Sequence, residues 1–370
     1  MSWAIWITGP PGSGKSALAR AVAERLHVSG VPVRVLELDE IRHTLTPRPT
    51  YTAAERDVVY GALAYMATLL VEIGMPVIVD ATAHRRVWRD RARAAISPFL
   101  EVQLLCPPEL CRERERSRAP GHAPRGIYAR AGRPGSTVPG ADVDYEFSLA
   151  PELVVDTSRE TVAEGAERIA ALALTLPLAP IVETPPPSSG MAVWITGRPG
   201  SGKTTLALRV AEEIAASSGV PVKILTPEAL CRYAAEVPVS EAQQEIVHRA
   251  LAYAAKLLIE LGVAVIVDAT AARRAWRDVA REIVPRFAEI QLVCPAEVCM
   301  ERERITRWRR AAGEGRGTAP DIALHYEESL RPDLVLDTSV HHQWAAAEEI
   351  LLLVRRLHRA ARPLRGPEPD

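Results

Sequence analysis

Two lysines carry the clearest chemical signal in the chain. Lys15 closes the run Gly9-Pro10-Pro11-Gly12-Ser13-Gly14-Lys15-Ser16, and Lys203 closes Gly197-Arg198-Pro199-Gly200-Ser201-Gly202-Lys203-Thr204. Each run follows an apolar stretch and opens a helical pattern, the context in which such a loop cradles a polyphosphate. Its glycines let backbone N–H groups turn inward around phosphate oxygens, and the helix behind adds the positive end of its dipole. On this reading Lys15 and Lys203 reach the β- and γ-phosphates of ATP, while Ser16 and Thr204 offer hydroxyls to Mg²⁺.

Other residues suit the same chemistry. Asp80 and Asp268 each end a stretch of three apolar residues. A carboxylate there either holds Mg²⁺ or caps the next helix. Asp39 follows Leu36-Glu37-Leu38, at the expected end of a second strand near the glycine-rich loop, where it would orient Mg²⁺ or take the proton of an attacking hydroxyl. Arg42, one helical turn on, suits an anionic substrate; a surface Asp/Arg pair is the plain alternative. Thr82 and Arg85 share the loop after Asp80. The Gly-, Pro- and Arg-rich stretch 117–145 reads as a lid, with Arg125, Arg130 and Arg133 as phosphate clamps, or else as a solvated basic loop. Cys106/Cys111 and Cys294/Cys299 are spaced too widely for a typical zinc site and read as core.

These residues are held by a repeated framework. The two glycine-rich runs lie 188 residues apart, and so do Val77–Thr82 and Val265–Thr270, Arg85/Arg86/Trp88/Arg89/Asp90 and their copies at 273–278, and the two cysteine pairs. By Asp156-Thr157 and Asp337-Thr338 the offset has fallen to 181. In the first copy, apolar strands are expected at Ala4–Thr8, Val33–Leu38, Val77–Asp80, Glu101–Leu105 and Leu153–Asp156. Helices are expected at Lys15–Leu26, Ala53–Ile73, Arg85–Ile96, Pro108–Arg116 and Val162–Leu174. Alternation of this kind predicts an α/β chain of two tandem P-loop NTPase domains of kinase type, each a parallel five-stranded sheet with helices on both faces. Ligands then sit at the carboxyl ends of the strands. The boundaries predicted are 1–176 and 191–362, with a proline-rich spacer at 177–190 and a tail at 363–370. The two halves invite packing as an intramolecular pseudo-dimer.

Composition narrows the classes. With 48% hydrophobic and 25% charged residues and a formal net charge of −1, nothing favours a nucleic-acid or membrane-surface partner. No apolar run is long enough for a bilayer. The start, Ser2-Trp3-Ala4-Ile5-Trp6-Ile7-Thr8-Gly9, has no basic segment of a secretory signal. Five cysteines make no evident disulfide framework, so a reducing cytoplasm is the expected setting.

Taken together, nearly all of the first copy resembles the adenylylsulfate kinases. The resemblance runs through Gly9–Ser16, Asp39 with Arg42, Thr50-Tyr51-Thr52-Ala53-Ala54-Glu55-Arg56, Cys106-Pro107-Pro108-Glu109-Leu110-Cys111, Arg125-Gly126-Ile127-Tyr128-Ala129-Arg130, Gly140–Glu146 and Pro151–Thr157. It implies γ-phosphoryl transfer from Mg·ATP to the ribose 3′-hydroxyl of adenylylsulfate, a small anionic substrate. Lys15, Asp39 and Arg42 would serve catalysis, and Asp39, Arg42, Tyr51, Arg56, Thr82 and Arg125 would hold the acceptor. Val59, Thr82-Ala83-His84-Arg85, Arg125 and Val138 stand where the family has Asn, Ile-Ser-Pro-Tyr, Lys and an aromatic. These departures keep open a kinase of another small alcohol. In the second copy Glu228, Cys231, Val239 and Gln244 replace Asp39, Arg42, Tyr51 and Arg56, and the lid shrinks to Trp308–Pro320. A tandem module that binds nucleotide for regulation, without phosphoryl transfer, is the third reading.

Overall fold

The computed structural model describes residues 2–119, 121–177, 190–218, 220–235, 240–311 and 325–360. They form two compact units. In the first, β1 (Ala4–Thr8), β2 (Arg34–Glu37), β3 (Val77–Asp80), β4 (Phe99–Leu105) and β5 (Leu153–Asp156) build one five-stranded sheet in the order β2-β3-β1-β4-β5. Every pairing is parallel. The second sheet repeats this topology with β6 (Ala192–Gly197), β7 (Val222–Leu225), β8 (Ala264–Asp268), β9 (Phe287–Val293) and β10 (Leu334–Asp337) in the order β10-β9-β6-β8-β7. The spacer expected at 177–190 lies almost wholly outside the described residues, as do Val239, the second copy's lid from 312 on and the tail 363–370.

The first unit's helices are α1 (Lys15–Val28), α2 (Leu38–Leu45), α3 (Ala53–Glu72), α4 (Arg86–Ala95), α5 (Pro108–Arg116) and α6 (Val162–Ala173). The second unit carries α7 (Lys203–Ser218), α8 (Pro227–Cys231), α9 (Glu241–Glu260), α10 (Arg274–Ile283), α11 (Ala296–Ala311) and α12 (Gln343–Ala360). Strand β1 is buried throughout, because helices cover both faces of a parallel sheet. Side chains alternate across the strand. Ile5 and Ile7 join Leu18, Val22 and Leu26 of α1 and Ala166, Ile169 and Ala173 of α6 in one core. Trp6 faces the other side, with its ring centroid 6.4 Å from that of Phe99, where α3 and α4 pack.

Three expected strand boundaries move, one of them the start of β2, at Arg34 instead of Val33. Strand β2 stops at Glu37, and Leu38 opens α2 instead of ending the strand. Leu38, Ile41 and Leu45 are all buried, a helical spacing that wins over the short alternation Leu36-Glu37-Leu38. Asp39 therefore sits in the first turn of a helix. Strand β4 begins at Phe99, two residues early, because Phe99 and Leu100 pair with Ala4 and Ile5.

Candidate active site

At the carboxyl end of β1 the chain turns through the glycine-rich loop into α1. The helix starts at Gly14, whose φ is 95° and which supplies no side-chain cap, so the first N–H groups of α1 face the loop unspent. Gly12 is required for a different reason. At φ +80° a Cβ there would lie 2.2 Å from the carbonyl oxygen of Cys111, so the loop is pressed against α5. The second unit repeats this at Gly200, where a Cβ would lie 2.2 Å from the Cys299 carbonyl. At Gly14 a Cβ would meet nothing within 4 Å, so Gly14→Ala carries only the strain of left-handed backbone, about 1–2 kcal/mol. Gly12→Ala must also displace the loop. We expect it to weaken Mg·ADP binding well beyond Gly14→Ala in a fluorescent-nucleotide titration, and equal losses would contradict the close approach.

The Lys15 ammonium donates to the Pro10 carbonyl at 3.1 Å. Burial holds its pKa below the usual lysine value, while the charges of Asp80 and Asp39 act the other way. Asp80, at the end of β3, is pushed up to about 6 by burial, opposed by Lys15 and by a hydrogen bond from Ser16. In the second unit the Thr204 hydroxyl donates to Asp268 at 2.6 Å. Hydroxyl plus carboxylate is an oxygen donor set of the kind Mg²⁺ takes alongside nucleotide phosphates. The loop is also tight within itself: a Cβ on Gly9 would come within 2.7 Å of the Ser13 hydroxyl. Ser13 itself is fully buried.

A cleft of about 720 Å³ opens from this loop, and Lys15, Asp39, Arg42, Tyr51, Arg56 and Thr82 all line it. Arg125 does not. Arg130 and Arg133, exposed like Arg125, do line it, with Arg114 of α5 and Arg118 just beyond that helix. Arg85 also turns away, lying over the Trp88 ring at 5.8 Å.

Arg42 and Arg56 are not loose cations awaiting an anion. Arg42 is 7% exposed and donates to Glu55 at 3.1 Å and Thr46 at 3.3 Å. Glu55 also receives Thr50 N at 2.5 Å and Tyr51 N at 3.2 Å. Arg56 donates to the Thr137 carbonyl at 2.8 Å, and Thr137 in turn donates to the Tyr51 carbonyl at 3.2 Å. Both guanidiniums lie near the Tyr51 ring, at 5.2 and 5.9 Å. Tyr51 itself has φ 55°, uncommon for a bulky residue, and strain of this sort gathers at functional sites. The lid is also tied down: Tyr128 donates to the Pro11 carbonyl at 2.8 Å. The partners Glu55, Thr137 and Tyr128 lie 13, 81 and 117 residues from the groups they hold, and the lettering around them gave no sign of these bonds.

Behind the cleft runs a buried network that the sequence showed only as repeated letters. Arg89 pairs with Glu101 at 2.6 Å, the two side chains being 0% and 3% exposed. Arg89 also donates to the carbonyls of Ala83 and Glu146. Ala83, at φ 36°, donates its N–H to Tyr60 at 3.0 Å. Thr8 donates to the Thr82 carbonyl at 2.7 Å and meets the Tyr145 hydroxyl at 2.8 Å. Arg277, Glu289, Ala271, Thr196 and Tyr326 repeat the contacts of Arg89, Glu101, the Ala83 carbonyl, Thr8 and Tyr145 in the second unit, with His248 at the place of Tyr60.

His84 sits in this layer, 5% exposed, edge-on to Trp88. Burial, with Arg56, Arg85 and Arg89 nearby, lowers its pKa from 6.5 to about 4. Between those values the unfolded chain binds the proton and the folded chain does not, so stability from this group is lost as pH falls from about 6.5 to about 4. His248 shifts in the same direction, to about 3, and Asp80 in the opposite sense. His84→Gln should therefore flatten, without abolishing, the acid-side fall in hydrogen-exchange protection factors of the first unit's β1 and β3 peptides from pH 7 to 5. An unchanged slope would refute a buried neutral imidazole.

A twice-wound parallel sheet with a glycine-rich loop after its first strand, a loop lysine and a hydroxyl–carboxylate pair defines a P-loop kinase fold. The adenylylsulphate kinase family model matches residues 1–156 and 189–337; the chain belongs to that family, as two copies in tandem. A probable adenylyl-sulfate kinase of Archaeoglobus fulgidus is 37% identical over 162 residues, 43% of this chain and 98% of the relative. The adenylyl-sulfate kinase of Geotalea daltonii is 35% identical over 45% of this chain and 80% of its own. Among solved structures, the Mycobacterium tuberculosis APS kinase in complex with AMPPNP and APS is 29% identical, with a TM-score of 0.41, covering 47% of this chain and 98% of its own. Among the described residues no helix is long and apolar enough to cross a membrane.

Proposed function

We propose that the first unit is an ATP-dependent kinase that transfers the γ-phosphoryl group to the ribose 3′-hydroxyl of adenylylsulfate. The observation that carries this reading is the single cleft in which the phosphate loop meets Asp39, Tyr51 and Arg56. Family membership and the names of the relatives supply the acceptor. Lys15 and the loop amides stabilise charge on the phosphoryl oxygens. Ser16 and Asp80 would hold Mg²⁺, which supplies charge neutralisation at the phosphates. Asp39 orients the attacking hydroxyl and takes its proton. Arg42 acts through Glu55 and Tyr51, fixing the loop against which the acceptor lies. Arg130 and Arg133 bring positive charge from the lid. Free cysteines fit a reducing cytoplasm as the site of action.

The test is incubation of the full chain with Mg·ATP and adenylylsulfate, with detection of the 3′-phosphorylated product. A second reading, a kinase of another small alcohol, is favoured by Val138, which lines the cleft where the family has an aromatic. It prevails if a panel of sugars and alcohols stimulates ADP release and adenylylsulfate does not.

A further inference from the structure

We propose that the second unit is a donor-side site only: it binds a Mg-bound nucleoside di- or triphosphate and, among its described residues, lacks the charged groups that shape the acceptor side of the first unit, so it holds nucleotide without passing on a phosphoryl group. Within this one chain the two units can be compared part by part.

The donor side is kept in atomic detail. Gly200 stands at φ +79° against the Cys299 carbonyl, as Gly12 stands against Cys111. Lys203 donates to the carbonyls of Gly197 and Arg198 at 3.0 and 3.1 Å, folded over its loop as Lys15 is. Thr204 and Asp268 make the hydroxyl–carboxylate pair. The supporting network is kept as well, from Arg277–Glu289 at 2.9 Å to Thr196–Tyr326 at 3.2 Å.

The acceptor side is where the units part. In the first sheet Arg34 pairs with Val77 and in the second Lys223 pairs with Val265. That register puts Glu228 at the place of Asp39 and Cys231 at the place of Arg42. Helices α3 and α9 start alike, with Thr52 and Ser240 as N-caps. Gln243 and Gln244 therefore occupy the positions of Glu55 and Arg56. Glu55 reaches out to Arg42 and to the backbone of Thr50 and Tyr51. Gln243, an uncharged amide, closes a capping box with Ser240 at 3.1 Å. The Arg42–Glu55 ion pair is thus replaced at both members, by Cys231 and Gln243, neither of which carries the charge of the residue it replaces. Arg56, which ties Thr137 to the Tyr51 loop, is replaced by an uncharged amide. An anionic acceptor entering the second unit meets neither guanidinium. A bound ATP gains little there, since a large part of the rate of phosphoryl transfer comes from holding the two reactants in line.

The experiment is a calorimetric titration of the full chain with Mg·ADP, which reads stoichiometry without reference to any acceptor. The wild-type chain is expected to bind two nucleotides, and Lys15→Ala and Lys203→Ala one each. Thr204→Ala is a milder second variant, expected to lose the Mg²⁺ dependence of one site and to keep the other. Product formation is then followed in the same variants with γ-labelled ATP. Lys15→Ala, with the second unit's loop intact, is expected to form product at about a hundredth of the wild-type rate or less. A single wild-type site left unchanged by both Lys203→Ala and Thr204→Ala overturns the proposal. So does residual turnover in Lys15→Ala that a further Lys203→Ala abolishes, since the second unit would then be transferring.

Discussion

Lys15→Ala is expected to lower kcat by roughly 10²-fold or more, on the basis that a phosphate-facing charge contributes ~3 kcal/mol to the transition state. Lys203→Ala is expected to leave most of kcat in place. Both lysines occupy equivalent loops, so an enzyme with two equal sites would lose about half its rate with either change. The surroundings differ. Lys15 opens onto a cleft that also holds Asp39, Tyr51, Arg130 and Arg133, whereas Lys203 belongs to the unit with Cys231 and Gln244 at the places of Arg42 and Arg56. Steady-state kinetics of the two full-length variants, with circular dichroism as a fold control, decide the matter. Equal losses would sink the asymmetry, and a larger loss from Lys203→Ala would mean that the second unit is the working one.

Arg89→Met should be the most damaging change to stability outside the phosphate loop, about 3 kcal/mol. It leaves Glu101, 3% exposed, without its fully buried partner, and strips a donor from the carbonyls of Ala83 and Glu146. Arg93, at 3.3 Å from Glu101, softens the loss. Because the chain has two units, one denaturation midpoint would mix them, and hydrogen exchange by peptide is the better measurement. Faster exchange in β1, β3 and β4 of Arg89→Met, with β6, β8 and β9 unchanged, is the expected pattern. Arg277→Met should give the converse. Uniform acceleration in both units, or none, would contradict a network that serves its own unit.

Much of the fold was legible because its signals are local. Strands β1, β3 and β5 and helix α5 fall at the expected residues: the strands are apolar runs, and α5 opens at Pro108, a residue suited to a first helical turn. The phosphate loops were legible for the same reason. The roles of the arginines were not. Arg42 and Arg56 read as cations for an anionic ligand, and only the folded chain brings Glu55 and Thr137 against them. Arg125 sits next to lid residues that line the cleft, yet does not line it, and nothing in a Gly- and Pro-rich stretch fixes which of several arginines will. The Arg89–Glu101 network was visible only as letters recurring 188 residues later, a repetition that marks importance without naming a partner.

The contact between Gly12 and the Cys111 carbonyl gives the phosphate loop a built-in chemical clock. The Cys111 thiol is fully buried and burial pushes its pKa up to about 12, so a thiol reagent that needs the thiolate finds it silent while α5 rests on the loop. Cys106, Cys231 and Cys294 are half-buried and react first. Slower labelling of Cys111 would then report whatever local opening exposes this thiol, an event that spectroscopy of the whole chain would average out. Cys299 keeps the same record for the second loop, so one mass spectrum of a timed alkylation reads the breathing of each phosphate cradle separately.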